Sequence, residues 1–259
     1  MRIASTQNSE DSTIVPQTTS SAPRFHVDAQ LSPGAIIELP PPVVRHVTAL
    51  RLAPGAEIAL FDGSGGEYGA RLERIGRGGT FAKTGLFRDI ERESPLAITL
   101  SLGVSAGDRM DVAIQKSTEL GVSAIQPLAA ERSIVRLSEE RAERRLAHWQ
   151  AVAAAACEQC GRNRVPEVRR LMPLNDFLDT PPPGARLMLS PQGERSLHEL
   201  ERNAAVTLLV GPEGGFAPYE RERAIRQGFK AVRFGPRVLR TETAPLAVIA
   251  ALQVLWGDC

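Results

Sequence analysis

The spacing of apolar and polar residues divides the chain into two parts. Between residues 23 and 94, short apolar runs are separated by Gly and Pro, a pattern that predicts strands joined by turns. The runs cover residues 24–27, 35–39, 57–61, 67–75 and 80–87, and only residues 42–52 have a helical pattern. Several short strands at this spacing favour a small, nearly closed β-barrel.

Beyond residue 94 the pattern alternates between strands and helices. Strands are predicted at 96–104, 124–128, 185–190, 206–210 and 231–234, and helices at 108–120, 138–160, 196–203, 218–227 and 244–256. Nearly continuous apolar strands that alternate with helices are typical of a parallel sheet covered on both faces. We therefore predict a β-rich domain at 23–94, ending in a charged linker at 88–94, and an α/β domain at 95–259.

The composition excludes several classes of protein. The first 21 residues include nine Ser or Thr, and residues 1–22 are predicted to be a disordered extension. No apolar stretch is long enough to span a bilayer, and three cysteines suit a reducing cytoplasm rather than a disulfide framework. Thirty-one basic against 30 acidic residues leave a net charge of +1, which excludes a cationic coat for nucleic acid.

The first candidate site is a glycine-rich loop. The sequence Gly211-Pro-Glu-Gly-Gly215 joins a predicted strand to a predicted helix, at the carboxyl end of a strand, where open α/β sheets bind ligands. Its glycines allow the backbone to approach a ligand closely. The loop lacks both common nucleotide-binding fingerprints. The alternative is a tight turn without a ligand.

A second candidate loop runs from Gly235 to Ala244. Thr243, followed by Ala244 and Pro245, has the pattern of a helix N-cap, and free amides there would suit an anionic or polar group. The alternative is that Thr-Glu-Thr merely caps the last helix. That alternative does not account for Arg240, because the helix dipole offers a cation no advantage at this end.

A third cluster combines Glu131-Arg-Ser133 with the segment Glu158–Arg164. Its arginines could hold RNA phosphates or form an ordinary solvated face. Cys157 and Cys160 form a C-x-x-C pair, but a structural zinc site needs four ligands. We therefore predict no metal site.

Taken together, these segments resemble the 16S rRNA (uracil(1498)-N(3))-methyltransferase family of the SPOUT superfamily. The resemblance covers residues 23–258. The chain departs from the family at two positions: Ala217 stands where the family commonly has Ser or Thr, and Cys160 stands where Ser is usual. The matching residues are Lys116–Val122, Glu131–Ser133, Glu158, Gln159, Arg162, Gly211–Gly215 and Leu239–Ala244, preceded by Pro23–Phe25, His46 and Leu50–Leu52 of a PUA-like domain.

The resemblance implies an α/β fold with a deep trefoil knot behind a PUA-like β-barrel. It also implies S-adenosylmethionine (AdoMet) as cofactor, 16S rRNA or the 30S subunit as substrate, and a homodimer; the cytoplasmic location is expected from the cysteine count. The cofactor-binding residues expected from it are Leu189, Ser190, Pro191, Gly211, Pro212, Glu213, Gly214, Gly215, Gly235, Leu239, Arg240, Thr241, Glu242, Thr243 and Ala244.

Methyl transfer to uracil N3 requires loss of the N3 proton, so a cation beside the base would stabilise the anion that forms. The candidates for this catalytic role are Arg132, Arg162 and Arg240. Glu213 or Glu242 could accept the proton or could be structural partners. The RNA-binding candidates are Arg24, Arg45, Arg51, Arg162 and Arg164, with ordinary surface arginines as the alternative.

Three other functions remain open from the sequence. A related SPOUT enzyme could modify another base or a ribose 2′-OH. A homologue without turnover could bind RNA alone. A nucleotide-binding enzyme could use the glycine loop for phosphate, although the chain lacks the lysine of that motif.

Overall fold

The structure is a computed structural model in which residues 22–133 and 139–259 are described. All of the predicted N-terminal extension except Ala22, together with the predicted helix cap Ser138, lies outside the described residues. Within the described residues, no helix is both long and apolar enough to cross a membrane.

A mixed five-stranded sheet and one helix form the N-terminal part. The elements are β1 (Arg24–His26), β2 (Ile36–Glu38), α1 (Pro41–Ala49), β3 (Glu57–Phe61), β4 (Glu67–Gly76) and β5 (Gly79–Arg88). The strand order is β1-β3-β4-β5-β2, so the sheet is open between β1 and β2 rather than fully closed. Every element predicted in this region is present, with ends displaced by at most three residues.

A seven-stranded parallel sheet forms the C-terminal part, with the strand order β12-β10-β11-β6-β7-β8 and with β9 paired to β7. Its strands are β6 (Ala97–Gly103), β7 (Ala124–Ala129), β8 (Glu167–Val168), β9 (Met172–Pro173), β10 (Ala185–Leu189), β11 (Ala205–Val210) and β12 (Lys230–Val232). The helices are α2 (Arg109–Glu119), α3 (Glu139–Cys160), α4 (Leu174–Asp179), α5 (Pro218–Arg226) and α6 (Thr243–Trp256).

Helices cover both faces of this sheet, as its apolar strands predict. Successive side chains of a strand point to opposite faces, and β11 shows the consequence: Leu208 packs into the core under α2, α3 and α6, whereas Leu209 packs into the core under α4 and α5. Both leucines are fully buried. Because no face of β11 meets water, its sequence is apolar at every position except Thr207, which is buried.

The prediction of a helix at 196–203 is wrong. Only a single 3-10 turn forms, at Leu197–Glu199, and Leu200 already has extended backbone angles. Ser196 and Glu199 satisfy the first amides of this turn, but a segment this short gains too few hydrogen bonds to offset helix nucleation. The sequence pattern also missed β8, β9 and α4, which are too short to show a clear period.

Candidate active site at the carboxyl edge of the parallel sheet

Three loops at the carboxyl edge of the parallel sheet surround one cavity of about 350 Å³. They follow the neighbouring strands β10, β11 and β12, and their position agrees with the usual place for ligands in open α/β sheets. Twelve of the predicted cofactor-binding residues line the cavity: Leu189, Ser190, Pro191, Gly211, Pro212, Glu213, Gly214, Gly215, Gly235, Leu239, Thr241 and Ala244.

The glycine loop after β11 leaves space for a ligand because it lacks side chains there. Gly215 has a φ of +65°, and a Cβ built on it would meet no atom within 4 Å, so a side chain would project into open space. Gly214 lies against Arg132, and an ideal Cβ on Gly214 would be 3.1 Å from Arg132 Cβ. The cavity is therefore one that glycine keeps open.

Arg132 is at the edge of this cavity, on the turn that follows β7. Its Nη1 donates to the Gly214 carbonyl at 3.1 Å, while most of the side chain is exposed. The turn is held by Glu220 of α5, which is buried and accepts one hydrogen bond from the Glu131 amide and another from the Ala217 amide, both at 2.8 Å. Glu220 thus supplies one half of a capping box, whereas the other half, a side-chain acceptor at position 217, is missing because that residue is alanine.

Tyr219, next to Glu220, also contacts the turn. A hydrogen bond to the Glu131 carboxylate raises the pKa of the Tyr219 hydroxyl to about 12. The hydroxyl is the donor to Glu131, and this contact stabilises its protonated form. Two successive residues of α5 hold the segment that carries Arg132.

Glu213 is the acidic residue of the glycine loop, and its carboxylate is engaged in structural contacts. Oε1 accepts from the Ala106 amide at 3.0 Å and from Arg109 Nη1 at 2.6 Å. Burial acts to raise the pKa of this carboxyl, but hydrogen bonds from its own amide, from Ala106 and from Arg109 outweigh burial and lower it. A carboxylate stabilised in its charged form is a weak proton acceptor, so the geometry favours a structural role for Glu213 over a catalytic one.

The remaining predicted residues of the last loop do not line the cavity. The Arg240 side chain is 80% exposed, and its Nη1 is 4.0 Å from Glu242 Oε1. Glu242 is mostly buried, and Thr243 is the first residue of α6. The structure thus places Arg240 at the surface of the loop, away from the lining of the cavity.

The structure contradicts the prediction that Arg162 contacts RNA or stabilises the reacting base. Its side chain is only 4% exposed, and it donates to both oxygens of Glu93 and to the Thr118 carbonyl at 2.5 to 3.0 Å. A buried guanidinium with these partners cannot contact RNA phosphates or a uracil in the cavity. Arg162 joins the predicted linker to the α/β part instead.

The structure also contradicts the prediction that Arg24 binds RNA, because little of this side chain is exposed. Its guanidinium is mostly buried, forms an ion pair with Glu67, and donates to the Arg162 carbonyl and to Asn163 Oδ1 at 2.9 and 2.7 Å. Arg45 and Arg51 are exposed on the N-terminal part. Arg164 is also exposed, with an ion pair to Glu91 at 2.9 Å, so these three remain available for RNA.

The sequence analysis missed several residues of the site, of which Arg109 is the most informative. A cation in the first turn of a helix opposes the helix dipole, and Arg109 is the first residue of α2. That unfavourable position was the signal that Arg109 has a specific partner. Arg109 itself lies beside the cavity, whereas Arg221, Arg233 and Arg237 line it together with Arg132.

Metal ligation has no support in the described ranges. Within residues 22–133 and 139–259, no three or more His, Cys, Asp or Glu side chains are grouped so that they could hold a metal ion. Cys157 and Cys160 lie in the last turn of α3, and both are free thiols.

Comparison with known families defines the class of the protein. A family model described as an RNA methyltransferase domain matches residues 92–253, and one described as an RNA methyltransferase PUA domain matches residues 39–83. The fold and the site are therefore those of an RNA methyltransferase. The predicted fold class, an α/β domain of the SPOUT type behind a PUA-like domain, is confirmed.

Individual relatives narrow the family. The ribosomal RNA small subunit methyltransferase E of Bacillus subtilis is 30% identical over 82% of this chain and 88% of its own length. The protein of the same name from Neisseria gonorrhoeae, solved with S-adenosyl methionine, is 46% identical with a TM-score of 0.87, over 92% of this chain and 99% of that one. A putative methyltransferase from Legionella pneumophila, solved with its cofactor, is 35% identical with a TM-score of 0.89 at the same coverage. The chain belongs to the ribosomal RNA small subunit methyltransferase E family, as the sequence motifs predicted.

Proposed function

We propose that this protein transfers a methyl group from AdoMet to N3 of a uracil in the 16S rRNA of the small ribosomal subunit. The observation that carries the proposal is the single cavity formed by the loops after β10, β11 and β12, with the Arg132 guanidinium at its edge. Relatives of the same family are named for methylation of small-subunit rRNA. The proposal includes a cytoplasmic location and a homodimer.

The cavity fits AdoMet in size and in the groups around it. A volume of about 350 Å³ lies in the usual range for small-molecule sites. The cofactor would be held by the glycine loop and by the loops that begin at Leu189 and Gly235, where Gly215 leaves open space. When bound, AdoMet supplies an electrophilic methyl group on a sulfonium.

Arg132 is assigned the electrostatic role in the transfer. Neutral uracil is a poor nucleophile at N3, and loss of the N3 proton to solvent water spreads negative charge onto O2 and O4. The N3 anion would then accept the methyl group, with S-adenosylhomocysteine as the leaving group. A guanidinium beside either oxygen stabilises that charge and makes the proton easier to remove. Of the three arginines proposed from sequence, Arg132 is the one that lines the cavity, because Arg162 is buried elsewhere and Arg240 faces solvent.

The N-terminal part would position the RNA. The target base must leave its stack to reach a methyl donor bound in the cavity, and contacts to neighbouring phosphates set register without reading sequence. Arg45, Arg51 and Arg164 are exposed and are assigned to these contacts. Arg233 and Arg237, exposed residues of the cavity lining, extend the positive charge toward the cavity mouth.

The test is methylation of 30S subunits from a strain that lacks the activity, followed by mass spectrometry of the nucleosides. We expect 3-methyluridine with the wild-type protein. Arg132→Ala should lower single-turnover transfer by about 100-fold, the typical cost of removing one donor to a developing oxyanion. Arg144→Ala, which removes an exposed arginine of α3 paired with Glu140, is the matched control and should retain full activity.

Each alternative outcome has a defined meaning. A 2′-O-methylated or other methylated nucleoside would replace the uracil N3 assignment with another reaction on RNA. Full activity of Arg132→Ala would remove the arginine from the mechanism while leaving the reaction in place. Absence of any methylated product, with AdoMet bound, would favour an RNA-binding homologue without turnover.

A further inference from the structure

Arg109 lies between two of the loops that surround the cavity. It begins α2, after the loop that follows β6, and is not itself among the residues that line the cavity. Nη1 contacts Glu213 Oε1 of the glycine loop at 2.6 Å, and Nε is 3.9 Å from Glu242 Oε2 of the last loop. One guanidinium therefore contacts carboxylates from two loops that are far apart in sequence.

Arg109 supplies one positive charge to two carboxylates. Glu213 and Glu242 are mostly buried, and each has a buried Oε2 atom that accepts no hydrogen bond. Arg240, the other cation near Glu242, is largely exposed and 4.0 Å away, so solvent screens it. Without Arg109, both mostly buried carboxylates would lose this cation, and a charge left without its partner at low exposure favours movement of its loop toward water.

We propose that Arg109 is a positioning residue that clamps the glycine loop to the last loop and so keeps the AdoMet cavity preformed. The Ala106 amide donates to the same Glu213 oxygen, which fixes the glycine loop to the segment before α2 at two points. This inference rests on the proposed function, because it assigns the cavity to AdoMet. A ligand that meets a preformed cavity loses less free energy in ordering the loops around it.

The clamp predicts an effect on cofactor affinity rather than on the transfer step. Arg109 does not line the cavity, so its removal should raise the Kd and the KM for AdoMet while kcat at saturating AdoMet stays within about threefold of wild type. A residue that merely stabilised the fold would lower the melting temperature and leave the KM of the folded protein unchanged.

The experiment is calorimetric titration of the full chain with AdoMet and with S-adenosylhomocysteine, together with steady-state kinetics on 30S subunits. Arg109→Ala should weaken binding of both ligands by about tenfold, a value between those of exposed and buried ion pairs. Arg109→Lys keeps the charge and should recover part of the affinity. Arg169→Ala is the matched control, since Arg169 forms one carboxylate pair with Glu167 outside the cavity and is 37% exposed, against 43% for Arg109.

A double variant separates charge neutralisation from packing. In Arg109→Ala/Glu242→Gln one of the two carboxylates left without the arginine is replaced by a neutral amide, so the double variant should bind AdoMet more tightly than Arg109→Ala alone. Non-additivity of this kind is expected for residues that share a network and not for independent sites.

Unchanged AdoMet affinity in Arg109→Ala, or no recovery in the double variant, would overturn the clamp. Both results are distinct from failure of the proposed function. If the proposed function failed, the wild-type protein itself would bind no AdoMet or would form no 3-methyluridine.

Discussion

Glu213 shows how one side chain of the glycine loop acquires its role from its neighbours. A carboxylate next to a methyl-transfer site is a natural candidate for a proton acceptor. In the structure its Oε1 accepts from the Ala106 amide and from Arg109, and these contacts stabilise the charged form. The same side chain is therefore better suited to hold the loop than to take a proton.

The lowered pKa of Glu213 has a consequence for the pH dependence of stability. A carboxyl whose folded pKa lies below its ordinary value of 4.5 contributes stability above that value, and the contribution is lost as the pH falls through the folded pKa. Glu213→Gln should therefore melt at a lower temperature than wild type near neutral pH, with a gap that narrows below pH 4.5. Thermal unfolding of the cofactor-free protein across this pH range measures the gap.

Glu222→Gln, a change at an exposed residue of α5, is the control and should show no such trend. A gap that stayed constant to low pH would contradict the charge-stabilised state of Glu213.

At the scale of elements, the cavity depends on close contact between the loop after β10 and the backbone of β12. The two strands are parallel neighbours, and Gly193 is buried against β12. An ideal Cβ on Gly193 would lie 2.6 Å from the Val232 carbonyl carbon and 2.7 Å from the Arg233 nitrogen, which is closer than real atoms approach. Only glycine lets this loop reach its position.

Gly193→Ala should therefore shift the loop that carries Leu189, Ser190 and Pro191. Because the clash is with backbone, we expect a loss of about 1–3 kcal/mol in the free energy of unfolding, together with weaker AdoMet binding. Denaturant unfolding and calorimetry measure the two effects. Gly76→Ala is the matched control, because a Cβ there meets nothing within 4 Å. Equal stability of the two variants would show that the loop adapts.

At the scale of the whole molecule, a polar junction joins the N-terminal part to the parallel sheet. Arg162 pairs with Glu93 of the predicted linker, Arg24 of β1 pairs with Glu67 and contacts Asn163, and the Asn163 amide donates to the Ile90 carbonyl. The charged segment at 88–94 is thus tied to the α/β part at several points. The boundary between the two domains at residue 94 stays a prediction.

Arg162→Ala should destabilise the protein by about 3–5 kcal/mol, because it leaves Glu93 without its partner in a mostly buried site. Activity per folded molecule should change little, since Arg162 lies outside the cavity. Arg164→Ala, two residues away, removes an exposed pair with Glu91 and should cost about 1 kcal/mol or less. Denaturant unfolding compares the two, and equal losses would contradict the role assigned to the buried pair.

Much of the fold was predictable because its signals are local. The strands of both sheets, the long helices and the two loops around Gly211–Gly215 and Gly235–Ala244 follow from apolar periodicity and from Gly and Pro positions. The exceptions are β8, β9, α4 and the turn at Leu197–Glu199, where the segments are too short for periodicity to decide between helix, strand and turn. The trefoil knot is implied by the family resemblance and not by the strand pattern, and it stays a prediction.

The sequence by itself determined the two-part organisation, the fold class, the family and the loops that line the cavity. Only the tertiary structure decided where each arginine lies. Arg132 and Arg162 belong to motifs of the same family and are equally plausible as cations, but one faces the cavity and the other is buried against Glu93, 69 positions earlier in the chain. Arg109 meets Glu213 across 104 positions. Local patterns carry no information about such partners, because the pairing arises only when the packed strands bring distant loops together.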